Sequence, residues 1–253
     1  MPRTQFTDAE VSAVVADMDA RGYAVLPDWV EPAQIAELQA RADEAVAAAG
    51  NDYVALTGPQ ELGGSLLHQW GRSSEFIELC RRLVAAGTGR RATETGFHQV
   101  MRCLTGVRGQ RESMIFHYDS YVLTLVVPVR IPEGEAQGDL IMLPNRRPLR
   151  RTYLGNALDK LLLDNGLTQR RLARRALRGG GDSFVRVRMQ PGNLYLFWGY
   201  RSVHTNLPCP PDAVRATAVF HYHDPHARSP LAGGARRLWA RLRGRAPGTA
   251  VLA

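Results

Sequence analysis

His117-Tyr118-Asp119 places an imidazole and a carboxylate two residues apart inside Met114-Ile115-Phe116-His117-Tyr118-Asp119-Ser120-Tyr121-Val122, a run of strand character. On an extended chain, residues two apart project from the same face, so both side chains can reach one point from one element. A second imidazole, His204, follows Asn193-Leu194-Tyr195-Leu196-Phe197-Trp198, where a strand-like run gives way to polar sequence. Two imidazoles and a carboxylate on one face of an octahedral metal leave three adjacent positions open, the geometry of a non-haem Fe(II) oxygenase. Two of those positions could chelate a 2-oxo acid, and the third could admit O2. Arg215, eleven residues after His204, opens the apolar run Arg215-Ala216-Thr217-Ala218-Val219-Phe220. A guanidinium binds a carboxylate through two parallel hydrogen bonds, and Thr217 on the same strand face adds a hydroxyl donor. The pair suits the distal carboxylate of 2-oxoglutarate.

Each residue also has a plainer reading. In a chain with seven histidines an H-x-D pattern arises easily by chance, and His117 with Asp119 could be a hydrogen-bonded pair without metal. His204 could be a loop histidine, and Arg215 could pair with a surface carboxylate. A rival cluster, His221-Tyr222-His223-Asp224-Pro225-His226, could hold a metal through an H-x-H pair. His221 shares a period-two face with Arg215 and Thr217, which favours a place beside the metal ligands or facing substrate. Tyr118, Trp198 and Arg201 are further candidates for the substrate pocket, with core packing or a solvated loop as the alternative for the last two.

These residues require a β framework, and the sequence supplies one. Short β segments are expected at Gly96 to Leu104, Met114 to Ile131, Asp139 to Leu143, Phe184 to Val187, Asn193 to Trp198 and Arg215 to His223. Pro and Gly punctuate them, the pattern of a sandwich or barrel. Before this body the order is helix, strand, helix. Thr7 and Glu10 form a capping box ahead of Val11, Val14, Val15 and Met18, Tyr23 to Leu26 reads as a strand, and Pro32 opens a helix reaching Gly50. A further helix is expected at Glu75 to Ala86. Between strands, residues 151–181 alternate leucines with Arg170, Arg171, Arg174, Arg175 and Arg178, predicting two short basic amphipathic helices. This insert is a candidate lid.

The chain has 253 residues, 45% hydrophobic and 22% charged, the composition of a globular protein. No apolar run is long enough to span a membrane, and the N-terminus lacks the apolar core of a signal peptide, so a cytoplasmic protein is expected. Cys80, Cys103 and Cys209 are scattered and odd in number, which predicts reduced thiols rather than a disulfide framework. The net charge of +8 rests almost wholly on arginine, Lys160 being the only lysine. That bias matches GC-rich coding sequence and weakens the case for nucleic acid as a partner.

The ordered set of His117-x-Asp119, Gly138-Asp139-Leu140, Pro191-Gly192-Asn193-Leu194, His204 and Arg215-x-Thr217, after an N-terminal segment with Gly22-Tyr23-Ala24-Val25-Leu26-Pro27, resembles the Fe(II)/2-oxoglutarate-dependent oxygenase superfamily. The likeness is to its phytanoyl-CoA dioxygenase-like branch and covers most of the chain. It implies an α+β fold with a mainly β core, a double-stranded β-helix (jelly-roll, cupin-like) with N-terminal flanking helices and a helical insert. A single domain 1–253 would divide into helical support 1–95, core 96–225 with insert 151–181, and a basic tail 226–253. His117, Asp119 and His204 would be the iron ligands, and Arg215 and Thr217 would hold 2-oxoglutarate. Gln99, Arg102 and Tyr121 are candidates for its other carboxylate. The implied activity is hydroxylation of an unactivated C–H bond of a small molecule, with O2 consumed and succinate and CO2 released. The sequence departs from that branch at Pro144-Asn145-Arg146-Arg147, where a Pro-Gly-Ser-His-like turn is usual, so the substrate does not carry over. A different class of function stays open, in which the Arg-rich insert and the tail at Arg236 to Arg245 bind an acidic carrier protein, an anionic substrate, a membrane surface or nucleic acid.

Overall fold

The computed structural model describes residues 3–178 and 181–231; the Arg236 to Arg245 tail lies outside them. The chain opens with α1 (Asp8–Ala20), β1 (Ala24–Leu26) and α2 (Pro32–Ala48), followed by β2 (Val54–Thr57) and the short helices α3 (Gly58–Leu62) and α4 (Leu66–Gly71). Next come α5 (Ser74–Thr88), β3 (His98–Leu104), α6 (Gly106–Arg111), β4 (Leu123–Arg130) and β5 (Leu140–Leu143). The insert forms α7 (Tyr153–Asp164) and α8 (Gly166–Leu177), and β6 (Val185–Val187), β7 (Leu194–Phe197), β8 (Val203–Asn206) and β9 (Arg215–Tyr222) complete the body. Thr7 caps α1 in the expected box with Glu10.

Six strands form one sheet in the order β1-β7-β4-β9-β3-β2, and β6-β5-β8 form a second, with every pairing antiparallel. Alternation divides the large sheet. Leu123, Leu125 and Val127 of β4 and Ala216, Ala218 and Phe220 of β9 face the helices, where they meet Trp29, Trp70, Phe76 and Leu83 in one buried cluster. Phe220 packs against Phe76, Phe97 and Trp70. Burial of each such side chain contributes about 1.5–3 kcal/mol, enough in sum to hold the helices on this face. The other face looks towards the small sheet and mixes Thr124, Thr217 and His221 with the apolar Val126, Tyr195, Phe197 and Val219. This is a double-stranded β-helix with the N-terminal helices packed on the large sheet and α7–α8 packed against β5 and β8 of the small one.

Two expected elements differ. The segment Met114 to Val122 is not part of a long strand. Its one ladder contact is an isolated bridge between His117 and His204, and β4 begins only at Leu123. Met114 takes a positive φ of 61°, which breaks continuous pairing there. Conversely, the segment carrying His204, not marked as a strand in the sequence, forms the fully buried strand β8.

Candidate metal centre

His117 and His204 are tied by reciprocal backbone hydrogen bonds, His117 N–H to His204 O (3.1 Å) and His204 N–H to His117 O (3.0 Å). Their rings lie 4.3 Å apart. The Nδ1 atom of each ring faces a carbonyl, Ile115 O at 2.9 Å for His117 and Ser202 O at 3.1 Å for His204. A carbonyl can only accept, so Nδ1 carries the hydrogen and Nε2 keeps its lone pair. Both Nε2 atoms converge on Asp119 Oδ1, at 3.6 and 3.5 Å. Asp119 is anchored by its own N–H to Gly199 O (3.1 Å) and receives the Thr124 hydroxyl on Oδ2. Gly199 makes room for this, because a Cβ there would press on both the Asp119 carboxylate and Thr124 Oγ1. Among the described residues, His117, Asp119 and His204 are the cluster whose donor atoms gather within 4.8 Å, as a metal requires.

The electrostatics fit that donor set. Burial opposes the Asp119 carboxylate, but His204, His221 and His117 around it hold it well below the ordinary range. Burial, then neighbouring His204, pushes His117 down to about 3. His204 is raised, because the attraction of Asp119 outweighs its burial. The two rings are nearly equidistant from Asp119 yet move in opposite directions, since one cation beside the carboxylate disfavours a second.

The pocket above these residues is lined from both sheets. β9 contributes Arg215, Thr217, Val219 and His221, all on the face opposite Ala216, Ala218 and Phe220. Arg215 is 4% exposed, its Nε has no hydrogen-bond partner, and among the described residues no carboxylate pairs with it. Its Nη2 lies 4.0 Å from Met189 Sδ. Burial, with Arg102 nearby, lowers its pKa to about 10, which leaves it charged at neutral pH. Arg102 on β3 stands directly opposite Thr217 and also lines the pocket. It donates to Glu112 O (2.6 Å) and lies 3.5 Å from Asn206 Oδ1. Tyr121 stacks with two pocket residues, His98 at 5.6 Å and His221 at 5.3 Å between ring centres.

Four expected positions fall elsewhere. Gln99 alternates with His98 and Val100, so it points to the helical side and bonds Leu67 O. Trp198 is fully buried on that same side, over Gly87, and donates its indole N–H to Asp19 Oδ1 (2.9 Å). Arg201 pairs with the same carboxylate at 3.1 Å. Tyr118 alternates away from its two neighbours and lies under the Arg147 guanidinium at 3.8 Å. The rival histidine cluster disperses: His223 meets Glu94 at 2.9 Å and His226 meets the Tyr200 hydroxyl at 3.0 Å. Among the described residues of the 151–181 insert, none lines the pocket. The insert braces the ligand segment from behind, Gln169 bonding both backbone groups of Phe116 (3.0 and 2.7 Å) and Lys160 bonding Ser120 Oγ (2.7 Å).

Sequence reasoning missed Thr124, His98 and Asn206. Asn206 was within reach of it, being two residues beyond His204 on one strand. The row His98, His221, Thr124 runs across β3, β9 and β4 and depends on pairing register, which a single chain does not announce.

No family model matches the chain, and no curated protein matches it. Solved structures do resemble it. EctD from S. alaskensis with bound Fe aligns at 18% identity and a TM-score of 0.57, covering 88% of this chain and 80% of that one. SnoN, a non-heme alpha ketoglutarate dependent epimerase from nogalamycin biosynthesis, aligns at 15% and 0.55, covering 86% and 82%. A Pseudomonas putida prolyl-4-hydroxylase aligns at 13% and 0.52, covering 88% and 96%. At such identities the likeness speaks for architecture, and the chain has the double-stranded β-helix fold of these proteins.

Proposed function

We propose that this chain is a non-haem Fe(II) and 2-oxoglutarate-dependent dioxygenase that hydroxylates an unactivated C–H bond of a small molecule, releasing succinate and CO2. The observation that carries the reading is one pocket holding two kinds of unfinished site. At one place, His117 Nε2, His204 Nε2 and Asp119 Oδ1 converge with their lone pairs free of other partners. At another, the buried Arg215 guanidinium forms no ion pair among the described residues and leaves its Nε without a hydrogen-bond partner. A buried cation without a partner is costly, and a carboxylate entering the pocket would relieve that cost. The neighbours add support, since SnoN was solved with Fe3+ and alpha ketoglutarate.

His117, Asp119 and His204 would hold the iron. The chemistry the metal supplies when bound is activation of O2, coupled to oxidative decarboxylation of 2-oxoglutarate. The chain's own work is placement. Arg215 would bind the distal carboxylate of the 2-oxo acid and Thr217 would donate its hydroxyl to it. Arg102, with Asn206 beside it, supplies positive charge along the same wall. Val100, Leu140, Phe197 and Val219 give the pocket apolar walls that exclude water. His98 and His221, backed by Tyr121, line the same pocket and are the residues proposed to face substrate. The three cysteines are buried and unbridged, which supports a reducing, cytoplasmic setting.

Anaerobic titration of Fe(II) with 2-oxoglutarate tests this. We expect the weak visible charge-transfer band of an iron-chelated 2-oxo acid in wild type, its loss in His117→Ala, and a raised 2-oxoglutarate requirement in Arg215→Ala. Absence of the band in folded, iron-loaded wild type would overturn the reading and leave a binding module with a basic surface.

A further inference from the structure

We propose that the α7–α8 hairpin is a docking surface for a lipid bilayer carrying anionic headgroups, an inference independent of the metal-centre reading. Helix α7 turns a largely polar face to the protein: Asn156 is buried and accepts from Arg147 Nη2 (2.9 Å), Asp159 pairs with Arg147 and Arg150 (3.0 and 2.7 Å), and Lys160 reaches Ser120, with Leu163 buried beside them against Phe116 and Ile141. The opposite face carries Leu154, Leu158, Leu161 and Leu162, 65, 56, 70 and 62% exposed, at the spacing of one helical stripe. Together with Leu167 and Leu177 of α8, the hairpin holds six of the eight large hydrophobic side chains that stand exposed among the described residues. Burying polar groups while exposing leucines inverts the usual arrangement, and a cover for the leucines resolves it.

The charge beside that stripe says what the cover is. Helix α8 has no acidic residue, and Arg170, Arg171, Arg174 and Arg175 are exposed on it. Arg171, Arg174, Arg175 and Arg178 line one cleft, and among the described residues none of them pairs with a carboxylate. The C-terminal segment, with Arg236, Arg237, Arg241, Arg243 and Arg245, carries the same sign, as does a second copy of the hairpin, so neither complements it. A partner with anionic groups and an apolar layer just beneath them does. Leucines entering the headgroup boundary and arginines binding lipid phosphates describe an interfacial helix, and the cytoplasmic leaflet supplies negative charge. An acidic protein is the weaker fit, because the outward face offers no Trp, Tyr or Phe, the anchors that protein interfaces favour alongside Arg.

The test is cosedimentation of the full chain with vesicles of phosphatidylcholine alone or mixed with phosphatidylglycerol, in wild type, Leu158→Ser/Leu161→Ser and Arg174→Gln/Arg175→Gln. Far-ultraviolet circular dichroism checks that all three are folded. We expect wild type to bind the anionic vesicles in preference, less so at high salt. Each double variant should lower the partition by about tenfold or more, as the loss of two surface charges or two inserted leucines predicts. Equal binding to both vesicle types, or binding unchanged in both variants, would overturn the proposal. So would failure to bind any vesicle while an acidic acyl carrier protein binds in a manner the same variants abolish.

Discussion

Thr124 gives its hydroxyl hydrogen to Asp119 Oδ2, the carboxylate oxygen that does not face the two imidazole Nε2 atoms. Oδ1 is thereby left for the metal proposed above, and the carboxylate plane is set by a residue outside the proposed ligand trio. Removing this bond in Thr124→Val should weaken Fe(II) binding by about 10–100-fold, the usual loss when a group orienting a ligand is deleted. Thr124→Ser should restore most of it. Anaerobic metal titration distinguishes the two variants.

Arg215 leads to the complementary prediction. In Arg215→Ala the apparent 2-oxoglutarate requirement should rise on the order of a hundredfold, within the 2–5 kcal/mol expected when one member of a buried charged pair is truncated. Fe(II) affinity without co-substrate should stay unchanged. Gly138→Ala should move in the same direction, because its Cβ would lie 2.5 Å from Arg215 Cδ on a backbone with φ of +73°. Titrating each variant separately with metal and with 2-oxo acid tells the two effects apart.

Gly199→Ala should abolish tight metal binding while the protein still folds. The added methyl has no room between Asp119 and Thr124, so the carboxylate must swing away from Oδ1's present position. Overpacking of this kind costs about 1–3 kcal/mol of stability, visible as a lowered melting temperature. A variant that melted like wild type and bound iron normally would contradict the geometry given to Asp119.

At the far end of the molecule, Glu10 sets an acid limit on α1. The Thr7 backbone N–H, then Arg3 and the Thr7 hydroxyl, hold its carboxyl at about 2, against an ordinary 4.5. A depressed folded-state value means that the contribution is present above pH 4.5 and is lost as pH falls through about 2. Glu10→Ala should therefore be less stable than wild type to urea at pH 7, and the gap should close towards pH 2. Matched unfolding curves at several pH values measure this.

Much of the positioning is legible in the order of residues alone. The alternation in Arg215-Ala216-Thr217-Ala218-Val219-Phe220-His221 separates pocket from core because β9 lies between a packed helical layer and an open face. Thr7, Glu10 and Pro32 mark helix starts through local chemistry. Whatever long-range pairing decides is not legible in this way. His117 and Asp119 share a direction, yet an isolated bridge to β8 and the carbonyl of Gly199 hold them rather than a long strand. Trp198 and Arg201 look like pocket residues in sequence, and Asp19, some 180 positions away, claims both. The inward polar face of α7 is hidden for the same reason, since its partners Arg147 and Ser120 lie outside the helix.

The backbone bridge between His117 and His204 has a consequence for how such a protein can change over generations. The spacing of the two imidazoles is held by main-chain atoms, which every substitution inherits. Side chains on β2 and β3, including Ala55, His98 and Val100, line the pocket from strands that carry none of the ligand trio. Lineages can remodel those walls one residue at a time while the spacing of the two imidazoles passes through unaltered.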